Sequence, residues 1–532
     1  MWSVSDPVRH EEPYGPLRRD VRLLGSLLGR VLVEQEGEAF LAAEERIRAA
    51  ARHSREVGDP AYVRDAVRAL PPDDQGRMLR AFALYFQLAN TAEQHHRIRR
   101  RREVVSAEAT PRESLAQGFE RLSAVPADEL AHRLDGVSLE LVLTAHPTES
   151  TRRTLLRAHV RIADLLERHD DPALTALERA ELEEEVAEEI TLLWQTDEVR
   201  ADRPRVVDEI RHGLWFFEES LFDAGERLLR EYRRLAPSAA TPFSFGTWIG
   251  GDADGNPEVN GETVRAALDQ GRATVLARYR SDVRELLVAL AASRSLVGVS
   301  DELEESIARD ERECVGYRDD VALMMTTERY RRKLSYMWWR LANDGYAGPQ
   351  AFLDDLAIIR RSLESHLGGR IARAGVAQLE RRVELFGFHA AKLDVRFHAS
   401  EVREPTERTR GVFEAVADVR SRFGPQALDT VIVSATTSVE DVLAVLDLTD
   451  EPVAVVPLFE TIADLEAAAD TVSALLSDER YRSRIVVDRH GRLEVMVGYS
   501  DSARTAATWR RSGRPTGRKR SWPSWPTSTG SS

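Results

Sequence analysis

From residue 139 onward the chain keeps to one rhythm: short apolar runs, each closing on polar, chemically capable residues, with long helical stretches between them. The runs are LELVLTAHPTE from Leu139, FSFGTWIGGDADGNP from Phe243, FGFHAAKLDVR from Phe386, DTVIVSATTS from Asp429, EPVAVVPLFET from Glu451 and RLEVMVGYSDS from Arg492. Strands buried on both faces have this composition, and strands alternating with helices form a parallel sheet. The expected fold is therefore α/β and mostly helical, with an incomplete parallel (β/α)8 TIM-like barrel. About six strands are present where a closed barrel of this kind needs eight.

The first 135 residues read differently. DAVRALPPDDQGRMLRAFALYFQLANTAEQHHRIRRRRE has apolar residues at three- and four-residue spacing and no strand-like run. A second stripe, Leu182, Val186, Ile190 and Leu193, lies on the acidic helix ELEEEVAEEITLLWQT. Capping boxes open two later helices, Ser438 with Asp441 and Thr461 with Asp464. Three regions follow: a helical one over 1–135, a partial barrel with helical insertions over 136–503, and a tail over 504–532 of another character. From Arg504 that tail has seven basic residues, three tryptophans and no acidic residue.

At 532 residues the chain can bury a large core, and Cys314 is its single cysteine, so no internal disulfide forms. The Met1 segment lacks an apolar stretch of signal-peptide length and no run approaches a membrane span, so a cytoplasmic location is expected. The formal net charge of -15 disfavours nucleic acid or anionic membrane as a partner. HRIRRRRE, from His96 to Glu103, is the local exception and reads as a helix end whose charges are solvated or paired. Lys333, Lys392 and Lys519 are the only lysines.

In an α/β barrel the chemistry sits where strands end, at the carboxyl face. His146, Asp252, Arg396, Glu460 and Asp501 all fall there in their segments. His146, followed by Pro147 and Thr148, suits proton transfer, because imidazole titrates near neutrality; a structural hydrogen-bonding role is the alternative. Glu460 and Asp501 end consecutive strands and can share a hard divalent cation, or act as capping or loop carboxylates. Arg396 can hold a phosphate by its fork, or close a buried salt bridge to a neighbouring carboxylate. GGDADGNPEVNGE looks superficially like a calcium loop, but Pro257 stands where glycine is required and Thr263 where the bidentate glutamate belongs. It reads as a tight glycine-rich turn beside a site, which a phosphate or a packed loop would equally use.

TAHPTES, GTWIGGDADGNP, KLDVR, VVPLFET and VGYSDSA, in this order and at these intervals, resemble the phosphoenolpyruvate carboxylase family. AEQHHRIRRRRE and LLWQTDEVRADRPRVVDEIRHGL are similar to it too, so the resemblance covers roughly residues 80 to 503. It implies a Mg²⁺-dependent lyase that joins bicarbonate to phosphoenolpyruvate, giving oxaloacetate and phosphate and feeding the tricarboxylic acid cycle, and a homotetramer. Residue by residue it implies His146 as the catalytic histidine, Glu460 and Asp501 as metal ligands, and Arg396 as a catalytic and phosphate-binding arginine.

The chain departs from that pattern in places. Ala253 stands where the family's GGDRDGNP has arginine, Arg504 stands where it has lysine, and the later glycine- and arginine-rich loop is absent. The tail reads either as the product of a slipped reading frame or as a genuine basic, tryptophan-bearing arm that binds nucleic acid or a membrane surface, and the slipped frame is the expected one. When the last base of each codon joins the first two of the next, the junctions from Ala503 to Trp509 permit Lys-Asp-Gly-Gly-Tyr-Leu, and SDSA-KDGGYL restores the family's motif. The expectation is that the native frame ends near Ala503. A catalytically inactive fragment, acting only as a binding or assembly partner, is the competing reading.

Overall fold

The computed structural model describes residues 14–145, 152–197, 204–237, 239–317, 326–488 and 491–498. The chain divides into two compact units, Met1–Leu122 with Glu149–Arg203, and Ser123–Thr148 with Pro204–Ser532.

The first unit is helical. Its helices Gly15–Glu36, Pro72–Ser106, Arg153–His169 and Ala176–Gln195 pack around Leu24, Leu28, Leu84, Leu88, Ile162 and Ile190. Leu182, Val186, Ile190 and Leu193 are buried together, as the stripe requires. Two helices of this unit thus lie beyond residue 135 in sequence. The basic run ends the helix Pro72–Ser106 and is paired: Arg97 with Glu93, Arg99 with Asp20 and Asp170, Arg100 with Glu103, and Arg102 with Glu167.

The second unit holds a parallel sheet of six strands in sequential order: β1 (Leu139–Leu143), β2 (Phe243–Thr247), β3 (Lys392–His398), β4 (Thr430–Ser434), β5 (Ala454–Phe459) and β6 (Met496–Val497). It curls as an incomplete barrel does, with β1 and β6 at its edges. All six apolar runs of the sequence contribute their strand. The central strands β4 and β5 are buried along their whole length, as their continuous apolar runs require, whereas the edge strand β1 leaves Leu139, Leu141 and Val142 exposed, so the expected burial on both faces does not hold there. Leu393, Val395, Phe397, Val431, Val433 and Val455 face the helical layer, while Ile432, Ala454, Val456 and Leu458 pack on the opposite face with Trp248 and Met496.

The Thr461 capping box is complete: Thr461 Oγ1 accepts from Asp464 N–H at 3.2 Å and Asp464 Oδ2 accepts from Thr461 N–H at 2.9 Å. The box at Ser438 is present as well, with Asp441 Oδ2 accepting from Ser438 N–H at 2.9 Å. Asp441 also takes the N–H and hydroxyl of Thr437.

Candidate active site

The site is built from the face of the sheet that carries Trp248. On β3, every second residue of KLDVR points there, so Lys392, Asp394 and Arg396 form a charged column on an otherwise buried strand.

Just past β2 the chain makes the glycine turn, with Gly250 at φ 95°. Gly251 then lies against β3 so closely that a Cβ there would sit 2.3 Å from the Asp394 carbonyl oxygen. Arg396 N–H donates to the Gly251 carbonyl at 3.0 Å, and Ala253 N–H donates to the Arg396 carbonyl at 2.8 Å. The glycines therefore serve a packed loop that continues the β2–β3 pairing. Ala253 is wholly buried in the apolar cluster behind the sheet.

That loop delivers Asp252 to Arg396. Nε donates to Oδ1 at 2.7 Å and Nη2 to Oδ2 at 2.8 Å, a fork-to-fork pair. The guanidinium carbon also rests 4.7 Å from the Trp248 ring centroid, a cation–π contact. Burial works against the Arg396 charge, but the Asp252 bonds, Asp254 and Glu460 outweigh it and hold its pKa above the ordinary value. Arg396 thus makes the salt bridge that was the alternative reading of its sequence position.

Glu460 follows β5 directly. Its Oε2 accepts the Ala435 N–H at 2.8 Å, and Ala435, just past β4, takes φ 52° to present that N–H. Gly498, after β6, leaves room beside it, since a Cβ there would press within 3.1 Å of the Glu460 side chain. The register Arg396↔Ile432↔Val456 puts Glu460 four residues further along the strand direction than Arg396, about 13 Å. The long arginine side chain narrows that gap enough for the Glu460 charge to support that of Arg396.

As a hard oxygen donor at a strand end, Glu460 fits a divalent-cation ligand. Its expected co-ligand Asp501 lies outside the described residues, and so does His146. Among the described residues no group of three or more His, Cys, Asp or Glu side chains is placed to hold a metal. The structure brings Arg396 and Glu460 to one side of one sheet. It adds two residues with no assigned role, Asp252 and Trp248, and a deeper cluster around Lys392. Their signal was available: charged residues at every second position of a strand that must be buried.

The family model for phosphoenolpyruvate carboxylase matches residues 17–407 and 398–510. The chain belongs to the phosphoenolpyruvate carboxylase family. It is 34% identical to the phosphoenolpyruvate carboxylase of Xanthomonas oryzae pv. oryzae (strain MAFF 311018), over 92% of this chain and 61% of that protein. The corresponding protein of Roseiflexus castenholzii (strain DSM 13941 / HLO8) is 33% identical over 94% of this chain and 63% of its own length. That of Nocardia farcinica (strain IFM 10152) is 34% identical over 93% and 63%. The chain spans about three fifths of the length of these carboxylases. The matched span includes every site segment from TAHPTES to VGYSDSA, so Arg396, Glu460, Asp252 and Trp248 are all positions of the carboxylase fold. No helix among the described residues is long and apolar enough to cross a membrane.

Proposed function

We propose that this chain carries part of the site of a phosphoenolpyruvate carboxylase, a carbon–carbon lyase forming oxaloacetate and phosphate from phosphoenolpyruvate and bicarbonate in the cytoplasm. The observation that carries the reading is the family match over nearly the whole chain. In it, Arg396 holds the phosphate group of the substrate, its remaining donor capacity directed by the Asp252 fork. Bicarbonate attacks the phosphoryl group, giving carboxyphosphate and the enolate of pyruvate. His146 takes the proton of the carboxyl group as it collapses to carbon dioxide beside the enolate, whose carbon then forms the new bond. Glu460 and Asp501 would hold Mg²⁺, which when bound supplies positive charge for the oxyanions of the reaction. The apolar layer of Trp248, Leu458 and Met496 on the same face would help keep water from the reacting groups.

A second reading, that the chain is inactive and serves as a binding or assembly partner, is favoured by the occupied fork of Arg396. The test has two arms. The chain as given, supplied with phosphoenolpyruvate, bicarbonate and Mg²⁺, is expected to make no oxaloacetate above background. A gene with the frame restored at codon 503 and extended to the length of the relatives is expected to turn over as a homotetramer, and Glu460→Gln in it to need more Mg²⁺. Robust turnover by the chain as given removes the second reading; no turnover by the restored enzyme removes the first. The nucleotide sequence at that codon decides whether residues 504–532 are read out of frame.

A further inference from the structure

Deeper on the sheet face than the Arg396–Asp252 fork lie four charged groups to which the proposed reaction gives no part. Lys392 Nζ sits 3.1 Å from Glu140 Oε1 on β1, 3.2 Å from Asp394 Oδ1 on its own strand and 3.1 Å from Asp429 Oδ1 just before β4. It also donates to Thr430 Oγ1 at 3.1 Å. The sheet makes room for this: a Cβ on Gly246 of β2 would lie 2.6 Å from Glu140 Oε1. Within the cluster three carboxylates face one ammonium. The three carboxylates outweigh the effect of burial and keep Lys392 protonated.

Asp394 is the member that reaches the site above. It is 3% exposed, and its Oδ1 is within ion-pair range of Lys392 but makes no hydrogen bond. Its Oδ2 accepts the Trp248 Nε1–H at 3.3 Å. The same indole carries the Arg396 guanidinium on its face. One rigid ring therefore joins Asp394 to Arg396, and an ionised acceptor holds an N–H more strongly than a neutral one. Burial, with Glu140 and Asp429 adding to it and Lys392 opposing, pushes Asp394 up to about 7. The charged groups facing it are those three and, one pleat along β3, Arg396 with its partner Asp252.

We propose that Asp394 is a positioning residue for Arg396: through Nε1 it fixes the plane of Trp248 on which the guanidinium rests, and its charge sets how firmly that plane is held. The consequence for anion binding rests on the reading of Arg396 as a phosphate-holding group; the positioning does not.

The test uses the full chain. Near-ultraviolet circular dichroism of the wild type minus that of Trp248→Phe isolates the Trp248 signal, followed from about pH 5.5 to about 8.5 at constant ionic strength. The expected result is one inflection near neutrality. Asp394→Asn abolishes it, and Lys392→Gln moves it to higher pH, because the cation that favours the carboxylate is gone. A flat difference signal overturns the proposal, as does an inflection that survives Asp394→Asn or that Lys392→Gln leaves in place. Should Asp394→Asn fail to fold, the wild-type inflection and the Lys392→Gln shift still decide. Phosphoenolpyruvate titrated into the same samples separates the two readings: if it never binds, the role of Arg396 fails while the inflection still judges Asp394.

Discussion

Two of the three lysines of this chain are buried among carboxylates, and the two burials are built differently. Lys333, on the helix Arg329–Ala342, donates to Asp310 Oδ2 at 2.8 Å and to Asp355 Oδ1 at 2.6 Å. The second oxygen of each carboxylate is also taken, Asp310 Oδ1 lying 2.8 Å from Arg340 Nη2 and Asp355 Oδ2 accepting from the Tyr346 hydroxyl at 2.8 Å. Two cations meet two buried anions, with the exposed Glu313 also held by Arg340, and every oxygen of the two buried carboxylates has a partner. Around Lys392 one cation meets three anions, and Asp394 keeps one oxygen without a hydrogen bond. Burial raises the Asp310 carboxyl against the pull of Lys333 and Arg340, whereas Asp394 is carried up to about 7. A buried lysine is therefore not in itself a functional mark. A balanced cluster clamps helices together, and an unbalanced one beside a site leaves a carboxyl that titrates where proteins work.

The largest effect should come from breaking the balanced cluster. Lys333→Met leaves two buried carboxylates facing one arginine and should cost about 3–5 kcal/mol in denaturant unfolding. A loss below about 1 kcal/mol would mean the carboxylates find other partners, and the contrast would fall. The next effect sharpens the unbalanced side. The Asp394 carboxyl sits above its ordinary 3.8 in the folded chain, so between that value and about 7 the native state keeps a proton that the unfolded chain has released. Stability should then fall as pH rises through that window and level off above it, by up to a few kcal/mol. Asp394→Asn should flatten the slope in melts taken at several pH values, and an unchanged slope would assign it elsewhere. Tyr346→Phe removes one donor from the balanced cluster and should cost about 1–2 kcal/mol without changing the pH profile between about pH 5 and 8. Arg361→Ala breaks a half-exposed pair with Glu302 and should stay within about 0.5 kcal/mol, the baseline against which the buried clusters are measured.

The strands were legible because each is a short apolar run, buried throughout in β4 and β5, and the helical stripe of Leu182, Val186, Ile190 and Leu193 because period 3.6 leaves a plain mark. Arg396 was legible as a residue of consequence but not in its pairing. The salt bridge and the phosphate fork use the same side chain, and the choice depends on Asp252, which lies 144 residues away in sequence. The capping box at Ser438 was legible from its residues, and Asp441 serves Thr437 as well, which the pattern did not show.

By itself the sequence determined the family and the six strands, each carried by one apolar run. Those are properties of local pattern and of motifs within single segments. Only the tertiary structure decided which charges meet. Lys392 gathers Glu140 and Asp429 from strands far apart in the chain, and Trp248 comes to lie between Asp394 and Arg396 because the Gly251 turn packs on β3. Parallel pairing brings distant segments into register, and ionic and hydrogen-bonding energies depend on distances of a few ångströms that no spacing in the sequence encodes.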